Sequence, residues 1–234
     1  TTFFEAVSNA MLVVIGWVLL AAPVGVFCLS LAVAAQSGTS AIGALAHYVV
    51  VVTSAGTVIF LAAYAVAVFG ARRGLGEFAR AVLPAQALAL STQSSLATLP
   101  AMLTVCRKLG VRDQTSDLVM PLAVALFRAT GPAMNLAVAI YVAHWFGIAL
   151  TPSMLFAGFV VATLTTLGAV SLPGAISFVT SIGPISIAMG LPVEPLAILV
   201  AVEVLPDLMR TLGNVTMDVA VTATVDRAHG EHER

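Results

Sequence analysis

Glu203, Asp207, Arg210, Asn214 and Asp218 are spaced along one short apolar run, "VEVLPDLMRTLGNVTMDVA", near the end of the chain. On a helix turning about 100° per residue they fall at roughly 0°, 40°, 340°, 20° and 60°, a single polar arc about 80° wide. Val204, Leu205, Leu208, Met209, Leu212 and Val215 cover the rest of that helix. Arg210 offers a planar, permanently charged fork able to grip a carboxylate through two parallel bonds. Asp207, one turn away, can take an ammonium. Together they suit a zwitterion that carries an extra carboxylate. Asp218 with backbone carbonyls suits a hard cation such as sodium, which prefers oxygen ligands. A plainer alternative is an (i, i+3) Asp207–Arg210 pair that only joins helices. It leaves Asn214 and Asp218 unaccounted for.

The elements that must position this stripe are set by composition. The chain has 234 residues, of which 60% are hydrophobic and 9% charged, with a net charge of −1. A soluble domain carries about 25% charged residues, so this chain cannot furnish a polar surface. No Asp, Glu, Lys or Arg occurs from Ala6 to Ala71, and from Leu118 to Val193 Arg128 is the only one. Apolar runs of roughly 20 residues, enough to cross about 30 Å of hydrocarbon, recur several times. The predicted class is all-α: a polytopic, multi-pass protein of the inner or plasma membrane, with the lipid bilayer as its solvent. A charge facing lipid at mid-membrane costs at least about 2.5–3.5 kcal/mol. The stripe must therefore face the protein interior or a watery cavity. Cys28 and Cys106 are isolated, and no HExxH, GxSxG, phosphate-loop or dinucleotide pattern is present. The composition argues against an enzyme, a bound cofactor and, with no basic excess, a nucleic-acid partner. The chain opens on Thr1 without a targeting segment, which reads as a fragment of a longer chain.

Along the chain, residues 1–75 read as two membrane helices, Glu5–Ala35 with Pro23 inside it and Ala44–Phe69. Residues 76–234 read as a core. Arg72, Arg73 and Arg80 precede the apolar stretch 81–106; Arg107, Lys108 and Arg112 follow it. Basic residues collect in cytoplasmic loops, so both ends of that stretch belong on one side. Half of it is only about 12 residues, roughly 18 Å of helix, too short for two full spans. Its middle, "LSTQSSLATLP", is polar. It is predicted to be a re-entrant hairpin whose broken tip lies at membrane depth, against protein or a cavity. Residues 115–148 read as a helix broken at "FRATGP", 154–190 as a second hairpin with its tip in "LGAVSLPGAI", 195–225 as the polar-striped helix, and 226–234 as a tail. "ATLPAM" parallels "VSLPGA", and "LFRATG" parallels "LMRTLG". The order of hairpin then helix therefore occurs twice, in opposite orientations. Such inverted repeats with broken helices mark secondary transporters that bind at the midplane.

The order "SSLATLP", "LPGA", then D-x-x-R-T-x-x-N-x-x-x-D resembles the dicarboxylate/amino acid:cation symporter family, the glutamate and aspartate transporters, over that family's carboxy-terminal half. The resemblance implies that Arg210 binds the substrate's side-chain carboxylate and Asp207 its amino group, with Thr211 and Asn214 completing the polar contacts. It implies that Ser94 and Ser95 at the first tip, and Leu172, Pro173 and Gly174 at the second, close over the substrate. Asp218 and the Asn214 carbonyl would hold sodium. It further implies a homotrimer whose transport unit moves as an elevator, gated by the second hairpin. The chain departs from the pattern at the broken helix: the family's Asn-Met-Asp-Gly-Thr falls on Phe127, Arg128, Ala129, Thr130 and Gly131. The sodium-holding Asn and Asp are gone, and Gly131 replaces a substrate-touching hydroxyl, with Thr130 beside it. Arg128 is predicted to be a tethered cation replacing one sodium ion, paired with Asp218 or Glu203; proton coupling through Glu203 or Asp218 is a secondary possibility. The expected function is secondary active transport of aspartate or glutamate with altered sodium coupling. The alternatives are a C4-dicarboxylate carrier, and a substrate-binding membrane protein that does not transport.

Overall fold

The computed structural model describes residues 43–168 and 175–232, together with Val13, Trp17, Val24, Phe27, Cys28 and Leu31, which are helical and exposed. The predicted helix Glu5–Ala35, apart from those positions, and the tip residues Leu172, Pro173 and Gly174 lie outside the described residues. The described residues are all-helical, with no strand among them.

α1 runs from Gly43 to Gly70, 28 residues, and closes in a π-helical turn over Val66–Gly70. At 1.5 Å per residue that is about 42 Å, longer than the hydrocarbon layer. Tyr48, Val52, Ala63 and Ala67 are buried, while Val50, Val58, Leu61 and Phe69 stand outward on an equally apolar face. A helix apolar all round needs lipid or protein on every side.

α2 (Leu75–Thr92) and α3 (Ser95–Lys108) form a helical hairpin. Gln93 takes a left-handed conformation at φ 50°, and its N–H bonds the Ala89 carbonyl, ending α2. Ser94 then starts α3 as its N-cap, accepting from the Ala97 N–H at 3.2 Å. The reversal thus needs two residues. The arms are 18 and 14 residues long, about 27 and 21 Å. The first arm begins at Leu75, six residues before the predicted start, and takes in Glu77 and Arg80.

α4 (Asp113–Leu122), a π-helical turn (Ala123–Phe127) and α5 (Thr130–Trp145) are one apolar run broken at Arg128, where φ is 33°. Pro132 supplies the reason. In a continuous helix its ring would strike the carbonyl four residues back, that of Arg128. In the first turn of a new helix, where the N–H has no partner anyway, it fits.

α6 (Pro152–Gly168) and α7 (Ala175–Ala188) pack together as a second pair. α8 (Leu196–Leu199) and a 3-10 turn (Val200–Val202) lead into α9 (Val204–His232), 29 residues long. Pro206 lies in the first turn of this helix, where it costs no hydrogen bond. The helix continues to His232, through residues read from sequence as a tail. Two packed helix pairs, α2–α3 and α6–α7, are thus each followed along the chain by further helix. The paired motifs are not equivalent in conformation, because "LFRATG" spans a break and "LMRTLG" lies within unbroken helix.

α9 is the axis of packing. Val215, Val219, Ala220 and Ala223 join Phe78, Val82, Ala85 and Ala89 of α2 and Met102, Val105 and Cys106 of α3 in one core. A second core sets Tyr48 and Val52 of α1 against Met134, Val138 and Val142 of α5. At the basic end, Arg112 donates from Nε to Asp226 Oδ1 at 2.8 Å and from Nη2 to its carbonyl, and Thr115 donates to the same carboxylate. Arg227 donates to the Gly70 carbonyl at 2.7 Å, clasping the end of α1 to α9.

Candidate functional site

The polar arc of α9 points inward. Glu203 is 7% exposed, Arg210 9%, Asn214 2% and Asp218 fully buried, with Asp207 half-buried. Arg210 is the hub. Its Nη2 donates to Glu203 Oε1 at 2.8 Å, its Nη1 to Asn135 Oδ1 at 2.7 Å, and its Nε lies 3.3 Å from Asp207 Oδ1. Tyr48, from α1, donates its hydroxyl to the other Glu203 oxygen at 2.7 Å. Four groups on three helices therefore surround one guanidinium or its carboxylate partner. A buried ion pair is tolerated only when its remaining valences are met in this way. Glu203 and Asp207 both face Arg210, so the (i, i+3) pair of the plainer reading does form. It is one side of a larger network.

The break in α4–α5 abuts this hub. The N–H of Thr130, an orphan at the start of α5, donates to Asn214 Oδ1 at 2.9 Å. A side chain from another helix thus caps α5. The Thr130 hydroxyl lies within hydrogen-bonding distance of both Asn214 Oδ1 (2.8 Å) and the Arg210 carbonyl (3.1 Å). It is fully buried and engaged inside the protein. It does not replace an outward hydroxyl at Gly131, and no side chain at 131 could. A Cβ there would come within 2.6 Å of Thr166 Cγ2 and 2.8 Å of its Oγ1. Gly213 performs the same service on the other side, where a Cβ would meet Thr130 Cγ2 at 2.6 Å. The two glycines let α9, α5 and α6 approach closely.

Asp218 differs from its neighbours: neither carboxylate oxygen has a hydrogen-bond partner among the described residues. Burying an ionised carboxylate that way is costly without a counter-charge. The oxygens would suit a cation. Among the described residues no three His, Cys, Asp or Glu side chains converge as a metal site, so a cation here would rely on backbone oxygens as well. Arg128 is partly buried at the break, and Asp207 and Asp218 are the carboxylates on which its charge acts. The predicted Arg128–Glu203 pairing does not form, because Glu203 is taken by Arg210 and Tyr48. Glu203, Asp207 and Asp218 against Arg128 and Arg210 leave one net negative charge.

Ser94 caps α3, and Ser95 is buried in its first turn. Neither hydrogen-bonds to the stripe, and Thr211, though buried, takes no part in the network among the described residues. Asn135 and Tyr48 join the site unforeseen. Tyr48 stands beside His47 and is one of two phenols in α1, whereas Asn135 is a lone amide in the otherwise apolar middle of α5. That isolation in apolar sequence was the available signal.

The model of the sodium:dicarboxylate symporter family matches residues 1–228. The chain belongs to this family. Among relatives, the Caenorhabditis elegans protein glt-4 is 32% identical over 231 residues, covering 96% of this chain and 46% of that protein. The proton/sodium-glutamate symport protein of Bacillus subtilis is 28% identical over 97% of the chain and 53% of its own length. Human excitatory amino acid transporter 2 is 33% identical over 69% of the chain and 30% of its own length. The chain spans about half the length, or less, of these members of the symporter family. Membership in a symporter family implies a membrane protein. It agrees with α1 and the Asp113–Trp145 run, both long and apolar enough to cross a bilayer.

Proposed function

We propose that this chain is the substrate-binding part of a secondary active transporter for acidic amino acids, with reduced sodium coupling. The observation that carries the reading is Arg210, buried where α9 meets the broken α4–α5 run. It is held in a net-negative cluster by side chains from its own helix and from α5. A guanidinium placed there has little structural need of two carboxylates and an amide, since a packed apolar core would serve stability as well. Its use is to meet a carboxylate of the ligand, while Asp207, half-buried, meets the ammonium. The relatives named for glutamate or excitatory amino acids support that substrate class. In this reading the protein is a multi-pass resident of the inner or plasma membrane and a homotrimer. α2–α3 and α6–α7 are re-entrant hairpins of opposite orientation, and the whole unit moves in elevator fashion with the second hairpin as gate.

Arg128 replaces one coupling cation. It is a permanent positive charge built into the backbone break, and its field acts on Asp218, whose oxygens have no donor among the described residues. One net negative charge in the cluster calls for few coupling ions. Uptake of L-aspartate into proteoliposomes, with choline in place of sodium, tests this. Persistent uptake is expected, and a strict need for two or more sodium ions per substrate overturns it. A C4-dicarboxylate carrier is the nearest alternative, and strong competition by succinate would favour it. A binding protein without transport is a further alternative. Aspartate-dependent thermal stabilisation with no uptake would point there.

A further inference from the structure

We propose that Asn135 is a positioning and specificity-determining residue, which holds the Arg210 fork against α5 and so sets the length of acidic side chain that can reach it. The inference rests on the acidic-substrate reading above and deepens it. Asn135 is 4% exposed, in the interior of α5, and its Oδ1 accepts from Arg210 Nη1 at 2.7 Å. Only the amide oxygen can face a guanidinium, which donates and never accepts.

Glu203 and Asp207, the other groups on the guanidinium, belong to the same stretch of chain as Arg210, seven and three residues before it. They travel with Arg210, and the onward link from Glu203, through the Tyr48 hydroxyl, runs to α1 and not to α5. Two further bonds register α5 against α9, from Thr130 to Asn214 and to the Arg210 carbonyl, but both stop short of the guanidinium. Among the described residues, Asn135 alone ties the charged head itself to the broken helix.

An amide also suits the task electrically. It fixes the plane of the fork while adding no charge to a guanidinium that already faces two carboxylates. With Nε toward Asp207, one Nη2 hydrogen on Glu203 and one Nη1 hydrogen on Asn135, each terminal nitrogen keeps one N–H for a ligand carboxylate. That is the donor count for a two-bond grip. Where the head is pinned decides whether a one-methylene or a two-methylene acid spans the distance from Asp207 to the fork.

The test uses the purified protein in proteoliposomes, with calorimetric binding and uptake of L-aspartate and L-glutamate. Asn135→Ala is expected to raise KM about 10-fold or more, the scale of one lost hydrogen bond to a charged group, with the maximal rate changed far less. It should also flatten the preference between the two acids. Asn135→Gln restores the amide on a longer stem and should recover tight binding with the preference moved toward the shorter acid. Asn135→Asp keeps the shape but adds a third carboxylate, so it should weaken both acids. Unchanged KM and preference in all three variants overturn the inference, as does a fall in maximal rate at constant KM. If Asn135→Ala does not fold, the Gln and Asp variants decide on the same criteria. Should the unsubstituted protein bind neither acid, the transport reading itself has failed. If it binds them and the variants match it, only the role of Asn135 has.

Discussion

Gly131 sits at the closest approach of α5 to α6, and its neighbours show why it carries no side chain. A Cβ at 131 meets Thr166 Cγ2 at 2.6 Å, closer than real Cβ atoms pack. Thr130 meanwhile spends its hydroxyl on Asn214 and the Arg210 carbonyl. Gly131→Thr should therefore weaken the protein, by about 1–3 kcal/mol as in other overpacked cores. Adding Thr166→Ala should recover much of the loss, since it removes the atoms in the way. Thermal melting of the single and double variants decides this, and equal melting of Gly131→Thr and the parent would show that the α5–α6 seam is loose.

At the level of elements, the break between α4 and α5 depends on one proline. Pro132→Ala removes the clash with the Arg128 carbonyl and lets the run Asp113–Trp145 close into a continuous helix. That would withdraw Arg128 from its left-handed conformation at φ 33° and uncap Thr130 from Asn214. Loss of uptake with preserved helical content by circular dichroism is expected; full activity would mean the break is held by something else. At the basic end the clasp of α9 titrates. Burial alone would raise the Asp226 carboxyl, but hydrogen bonds from Arg112 and Thr115 and the charge of Arg112 outweigh it and hold it below the usual range. A carboxyl depressed by folding stabilises above its unfolded value, about 3.9, and that contribution is lost as pH falls through its lower folded value. The melting gap between parent and Asp226→Asn should hold from neutrality to about pH 4 and close only below it. A gap gone by pH 6 would show the clasp contributes nothing.

Across the molecule, the proposed coupling rests on charge balance. The buried cluster holds three carboxylates against two guanidiniums, and the one with no hydrogen-bond donor is Asp218. Arg128→Met, which withdraws the tethered charge, is expected to make uptake steeply sodium-dependent, with the Hill slope for sodium rising from about one or below toward two. A slope unchanged by the substitution would remove Arg128 from the coupling. The exposed apolar faces of α1 and of α5–α6, with Val58, Leu61, Phe69, Phe156 and Phe159 outward, suit lipid or further helices of the same family fold.

Composition and period alone determined that the chain is helical, membrane-embedded and striped with inward-facing charge, because those properties follow from spacing within one segment. The break near Arg128 and the tip near Ser94 were legible for the same reason: Pro132 acts four residues back and Ser94 three residues forward. The hub itself was not legible. Arg210 meets Asn135 from 75 residues away, and Glu203 meets Tyr48 from 155 away. Helical periodicity says which side chains share a face. Which face of which neighbour it meets is settled only by packing, here by two glycines that let three helices come close. That is why the Thr130 hydroxyl meets Asn214 and the Arg210 carbonyl, partners that no local spacing announces.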